Sequence, residues 1–221
     1  MLNFGAPCLD ELLDDEHMAL LRKVATRRSY RDGDIIHDRG DIAPAMGIVV
    51  SGQVRMVSPR SNGRENLVAM VNPGQNYGDA VITGRPRRQH RAIAIGDTVI
   101  DHIDRAAFEP LLDHPKIMRA LYIVAAHRLV LLIDLFDDLR ALPPEVQLAK
   151  VLLMLHDNSS GRHSLDYVQE DIANLLGIST VTLAKALKVL RQEGLIETGY
   201  RRLTIVDPAK LHSWVSHADP F

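Results

Sequence analysis

The stretch QEDIANLLGISTVTLAKALKVL, residues 169–190, decides how the C-terminal part of this chain folds. Ile172, Ala173 and Leu176 form the apolar face of a short helix. Gly177 then offers a position that tolerates positive φ, and Ser179 is a favourable N-cap for a second helix. Leu183, Ala186, Leu187 and Leu190 recur at helical spacing and give that second helix a face to bury. Small Ala173 lets the two helices approach, and Ile178 fills the angle between them. The pattern predicts a helix-turn-helix, which presents the N-terminal end of its second helix to a major groove.

Just beyond it, GLIETGYRRLTIVD, residues 194–207, reads as two short strands around Gly199 with Arg201 and Arg202 beside the tip: a wing. Thr180, Val181, Thr182, Lys185 and Lys188 fall on the exposed side of the second helix, with Arg191 one turn further on. Gln169, Ser179, Thr180, Val181, Thr182, Lys185, Lys188, Arg201 and Arg202 are therefore the candidate DNA-binding residues. Phosphate contacts would supply affinity and base contacts sequence choice. With a net charge of -2 no global field draws nucleic acid, so any basic surface must be local.

Before the helix-turn-helix, Leu142, Pro143 and Pro144 mark a hinge, because each proline removes a backbone donor and restricts its predecessor. From Pro115 to that hinge the sequence predicts one long helix, ~40 Å at about 1.5 Å per residue. Leu121, Ala125, Arg128, Leu132, Leu135 and Leu139 alternate in the spacing of a coiled-coil seam. The run LVLLIDLF, residues 129–136, is apolar nearly all round, so a second copy of the helix is the simplest partner.

Between Ser29 and Ile103, short apolar runs alternate with Gly, Asp, Asn and Pro, and Gly33, Gly40, Gly52, Gly63, Gly74 and Gly78 punctuate them. Short strands joined by tight turns are expected, an antiparallel β-roll or jelly roll. The chain thus divides into a β-roll at 1–113, the long helix and hinge at 114–142, and a winged helix-turn-helix at 143–221, an α+β architecture. Inside the β-roll, NYGDAVITGRPRRQHRA, residues 76–92, sets Gly78 and Asp79 before Arg85, Arg87 and Arg88, as a turn that cradles an anion would.

Other chemistry finds little support. No run approaches the roughly 18 apolar residues of a membrane span, and the acidic start lacks a signal's basic region, which places the chain in the cytoplasm. Cys8 is the only cysteine, excluding an intrachain disulfide and a four-thiolate cluster from one chain. His37, His90 and His102 lie singly, without a His-x-His pair, and no nucleophile-base-orienter set emerges. No catalytic or metal-ligating residues are assigned, and the chain is not expected to be an enzyme.

Taken in order, β-roll, long helix, proline hinge and winged helix-turn-helix resemble the CRP/FNR superfamily of bacterial transcription regulators, from about residue 9 to 215. The resemblance implies a homodimer that binds an inverted-repeat operator in double-stranded DNA and works with RNA polymerase. It also assigns roles by position. The family's base-reading arginine becomes Thr180, the glutamate that often follows becomes Val181, and the second arginine becomes Lys185. Lys185 would then contact a guanine edge and Val181 a thymine methyl. In cyclic-nucleotide members a Gly-Glu pair takes the ribose and an Arg-Ser or Arg-Thr pair the cyclic phosphate. Here Gly78 and Arg88 match, Asp79 is one methylene short, and Gln89 replaces the hydroxyl residue. The polar residues that contact the base from the dimer helix become Leu132 and Ile133.

The resemblance therefore names Gly78, Asp79, Arg87, Arg88, Gln89, Leu132 and Ile133 as effector-binding candidates, for a cyclic nucleotide or another small anionic effector, and disfavours high-affinity cyclic AMP sensing. A small β-roll enzyme or metal-binding protein with an appended helical domain, and an adaptor that has lost DNA binding, stay open at this point. Substrate turnover without salt-dependent DNA binding would mark the first. DNA binding unchanged after loss of Lys185, Lys188, Arg201 and Arg202 would show the docking face to be misassigned.

Overall fold

The computed structural model describes residues 6–42, 45–59, 65–79, 87–158, 164–166, 169–199 and 202–219. The chain forms two compact units, Met1–Val130 and Leu131–Phe221. In the first, helices α1 (Leu9–Leu12) and α2 (Asp15–Val24) precede strands β1 (Thr26–Tyr30), β2 (Ile35–His37), β3 (Ala45–Pro59), β4 (Glu65–Val71), β5 (Asn76–Tyr77) and β6 (Arg91–Asp104). All pair antiparallel in the order β1-β6-β3-β4, with β2 on β6 and β5 on β3. The long β3 and β6 form the spine, and register shifts near Ser51 let that ribbon bend.

Two apolar clusters hold this unit. Leu9, Met18 and Leu21 of the first helices pack with Met46, Ile103 and Phe108, and with Ile117, Ala120, Leu121 and Val124 of the long helix. On the sheet, Val49, Val54, Val71, Tyr77, Ala92 and Ile100 form the second cluster, with Tyr30 and Ile36 against it. After α3 (Arg105–Phe108) and a 3-10 turn, Pro115 opens α4 (Pro115–Ala141), the long helix expected from the sequence. Its fully buried residues end at Val124, so the remaining turns extend past that core.

The second unit contains the last turns of α4, then α5 (Pro144–Asn158), β7 (Ser164–Asp166), α6 (Gln169–Leu175), α7 (Thr180–Gln192), β8 (Ile196–Gly199), β9 (Arg202–Ile205) and α8 (Pro208–Ala218). Its three strands pair β7-β9-β8. Leu148, Leu152, Ile172, Ala173, Leu183, Leu190, Leu203 and Leu211 centre its core. At the proline hinge, Gln147 donates to the Leu142 carbonyl (2.8 Å), satisfying an end of α4 that has no helical partner. Lys150 bridges Asp138 of α4 (2.7 Å) and Asp219 beyond α8 (2.8 Å).

Two histidines are confined within the sheet of the first unit. His37 stacks on Tyr77, their ring centroids 5.9 Å apart, and His102 shares a 2.9 Å hydrogen bond with the Tyr30 hydroxyl. Burial, with the charge of Arg88 added, pushes His37 down to about 3. Burial, then Arg28 and Arg88, push His102 down to about 4. Each binds a proton near pH 6.5 once unfolded, so between that pH and the folded values the unfolded chain holds more protons. Stability should be full above about pH 6.5 and fall as pH drops toward 5, a window that precedes most carboxylate titration. Urea unfolding at stepped pH should show this slope, and replacing both histidines with glutamine should flatten it.

Candidate functional site

The helix-turn-helix forms as its sequence dictates. Gly177 takes φ +65°, the Ile178 N–H donates to the Ala173 carbonyl (3.0 Å), and the Gly177 N–H donates to that of Asn174 (3.2 Å). That pair of bonds is a Schellman end, and it turns the chain directly into α7. Ser179 caps α7, its hydroxyl accepting from the Thr182 N–H at 3.0 Å, and the two side-chain oxygens lie 2.9 Å apart. Both hydroxyls are therefore engaged with each other at the helix start.

Leu183, Ala186, Leu187 and Leu190 are buried, which turns the opposite face outward. Thr180, Lys185, Lys188 and Arg191 are exposed, as is Arg202 on β9 and Gln169 on α6. Val181 is 66% exposed, a large apolar side chain with no cover at the leading end of the helix. Arg201 lies outside the described residues. On α7 itself the exposed candidates are thus two lysines, a threonine and a bare valine, with Thr182 half-buried.

In the first unit the described effector candidates are Gly78, Asp79, Arg87, Arg88 and Gln89, while Arg85 lies outside the described residues. Asp79 is not a free acid. Its Oδ1 accepts from Asn76 Nδ2 at 2.5 Å and its Oδ2 accepts from Arg128 Nη1 of α4. Arg128 Nη2 also donates to the Asn76 carbonyl (2.6 Å) and side-chain Oδ1 (3.2 Å). Asn76 is fully buried, so this knot of side chains ties α4 to the strand that leads into the loop. Neither Asn76 nor this role of Arg128 was anticipated; the pairing spans 49 residues and has no local spacing to betray it.

Gly78 has φ +78°, and a Cβ there would stand 2.7 Å from the Ala45 carbonyl oxygen and 2.8 Å from Arg88 Nη1. Only glycine lets the guanidinium lie this close to the turn. Arg88 Nη1 donates to Ala45 O at 2.7 Å, and burial lowers the pKa of this arginine. Among the described residues no carboxylate makes an ion-pair contact with it, though Asp41 lies near enough to favour its charge. Arg87 turns away to donate to the Gly40 carbonyl (2.9 Å), and Gln89 is exposed, its amide reaching only the Arg87 carbonyl at 3.5 Å.

On α4 the residues of the expected seam have different surroundings within the chain. Leu121 is buried in the first unit's own core, Arg128 is held by Asp79, and Leu135 and Leu139 pack on the second unit's core. Ala125 is exposed, Leu132 half-buried and Ile133 exposed. The bare apolar side chains are instead Tyr122, Leu129, Val130, Ile133 and Phe136. A helix apolar nearly all round offers two adjacent stripes, and hydropathy cannot say which one the chain covers for itself.

Comparisons with known proteins agree with this architecture. A cyclic nucleotide-binding domain model matches residues 27–114, and a Crp-like helix-turn-helix domain model matches residues 146–214. The cyclic AMP receptor protein of Thermus thermophilus is 28% identical over 218 residues, covering 94% of this chain and 95% of that protein. A CRP-like cAMP-activated global transcriptional regulator of Mycobacterium tuberculosis is 28% identical over 201 residues, 88% of this chain and 90% of that one. The structure of FixK2 from Bradyrhizobium japonicum superposes with a TM-score of 0.69 at 25% identity, over 86% of this chain and 96% of its own. With both domains matched in the same order and relatives aligned nearly end to end, the chain belongs to the CRP/FNR superfamily of transcription regulators.

Proposed function

We propose that the protein acts as a homodimer that binds an inverted-repeat operator and regulates transcription with RNA polymerase, and that high-affinity cyclic AMP binding is not its signal. The observation that carries the DNA-binding part is the outer face of α7, where Lys185, Lys188 and Val181 stand free of the protein around a well-capped N-terminus. Lys185 reads a base edge, Val181 meets a thymine methyl, and Lys188, Arg201 and Arg202 hold phosphates.

Cyclic AMP is disfavoured because the loop does not fit it. Asp79 is one methylene shorter than the glutamate that takes the ribose, and Asn76 and Arg128 hold it back, each donating to one of its oxygens. The hydroxyl beside the phosphate-gripping arginine is absent at Gln89, and Leu132 and Ile133 offer no partner to a base. Each hydrogen bond lost in this way costs roughly 1–3 kcal/mol. The names of the cyclic AMP-dependent relatives therefore do not transfer to this chain's effector.

For the dimer, Tyr122, Ala126, Leu129, Ile133, Phe136 and Arg140 follow the alternating heptad spacing one residue out of register with the seam expected from the sequence. In this frame Ile133 takes an a position and Leu129 a d position, the combination that favours two parallel strands. Placing Glu at both Leu129 and Ile133 should give a monomer with helix content retained, and operator affinity should fall steeply; sedimentation and circular dichroism would check this. A dimer that survives both changes would place the seam elsewhere. On the DNA side, Lys185→Ala should lower the ratio of operator to random-DNA affinity by about 1–3 kcal/mol. Lys188→Ala should weaken both alike and reduce the salt dependence by a slope of roughly 0.9.

A further inference from the structure

The second unit holds a cavity of about 660 Å³, walled by the last turns of α4, by α5 and by Asp219 just beyond α8. Lys150 ties these walls together, donating to Asp138 at 2.7 Å and to Asp219 at 2.8 Å. Leu131, Leu135, Val151 and Met154 give the cavity apolar sides. Ile133 and Phe136, both exposed, line it as well, so it opens beside the stripe assigned to the dimer.

One polar group in that lining is left without a partner. Gln147 is only 6% exposed. Its Nε2 donates to the carbonyls of Leu142 (2.8 Å) and Leu139 (3.5 Å), which orients the amide and leaves Oε1 as the acceptor. That oxygen is buried and has no hydrogen-bond partner among the described residues. A buried carbonyl oxygen without a donor costs free energy, so a donor supplied by a ligand would be stabilising.

Charge decides what kind of donor fits. The lining carries four carboxylates, Asp134, Asp137, Asp138 and Asp219, against one ammonium, Lys150. Lys150 serves Asp138 and Asp219, whereas Asp134 and Asp137 make no ion pair among the described residues. Such a lining repels an anion and draws in a cation. No three of these carboxylates lie close enough together to share a metal ion, and a hydrated ion would make no use of the apolar sides.

We propose that this cavity binds a small organic cation, a primary amine with an apolar body, whose ammonium donates to Gln147 Oε1 and is held by Asp134 and Asp137. Its hydrocarbon part lies against Leu135, Val151 and Met154. The polar residues of this site all belong to the second unit, and none of them is among the effector or DNA-binding candidates read from the sequence.

Calorimetric titration of the full chain with hexylamine tests this near pH 7, where the amine is protonated, at ionic strength held constant with chloride salt. Hexylammonium should bind saturably. Hexyltrimethylammonium has the same charge and body but no N–H, and 1-hexanol has no charge; each should bind roughly tenfold more weakly. Replacing Asp134 and Asp137 together with Asn should weaken hexylammonium, since both positions are exposed and the fold does not depend on them. Ala141→Phe, which sets a ring into the cavity, should abolish binding. If that chain shows a lowered Tm, the ligand series on the wild type and the Asn pair decide alone. No saturable binding of hexylammonium would overturn the proposal, as would equal affinity for the quaternary ion or for hexanol. Binding unchanged in the Asn pair, or in a stably folded Ala141→Phe chain, would overturn it too.

Discussion

Asp79 and Arg128 are 49 residues apart in sequence, yet their ion pair, braced by fully buried Asn76, joins the loop after β5 to the helix that comes after the whole sheet. Charged groups withdrawn from water need partners in good geometry, and here each acceptor on Asp79 is met by a separate donor. The position of α4 on the first unit depends on this knot as much as on Ile117, Ala120, Leu121 and Val124, because it is made one turn beyond the last of those fully buried residues. The exposed apolar side chains next to it on the helix, Leu129 and Val130, take their rotational setting from that anchor.

The same contact shapes the chemistry of the loop. Asp79 serves as a structural partner for Arg128 and so fixes the helix to the turn after β5. Arg88 remains differently placed, close against Gly78 and Ala45 and ringed by aromatic and imidazole groups. The charge of one arginine and the neutrality of two histidines beside it are a single electrostatic arrangement: burial and Arg88 both work against protonating His37 and His102.

Much of the fold was legible because it rests on local rules. Gly177, Ser179 and the leucines of α7 obey capping and periodicity that act within a few residues, so the helix-turn-helix could be drawn residue by residue. Pro115 and Pro143 likewise bounded α4 through backbone sterics. The features that escaped sequence reasoning depend on distant partners. Asn76 looked like ordinary turn punctuation, Asp79 like a shortened ligand acid and Arg128 like a seam residue; only their convergence across the sheet assigns them one role. The exposed stripe of α4 lies one position away from the expected seam for a related reason. In LVLLIDLF nearly every face is apolar, and the choice between Leu135 and Phe136 is made by packing on the second unit's core rather than by periodicity.

The chain anchors its long helix to the first unit with its own side chains, through Asp79, Asn76 and Arg128. The most direct measurement is operator affinity of the purified dimer with and without saturating cyclic AMP. Because linkage is reciprocal, an effector that sets the DNA-binding state must change DNA affinity by the factor by which DNA changes its own. The account predicts operator affinities within about twofold of each other, well under the roughly 1.4 kcal/mol of a tenfold effect. Tightening of roughly tenfold or more with cyclic AMP would contradict it, because Asp79, Gln89, Leu132 and Ile133 would then be serving a nucleotide after all.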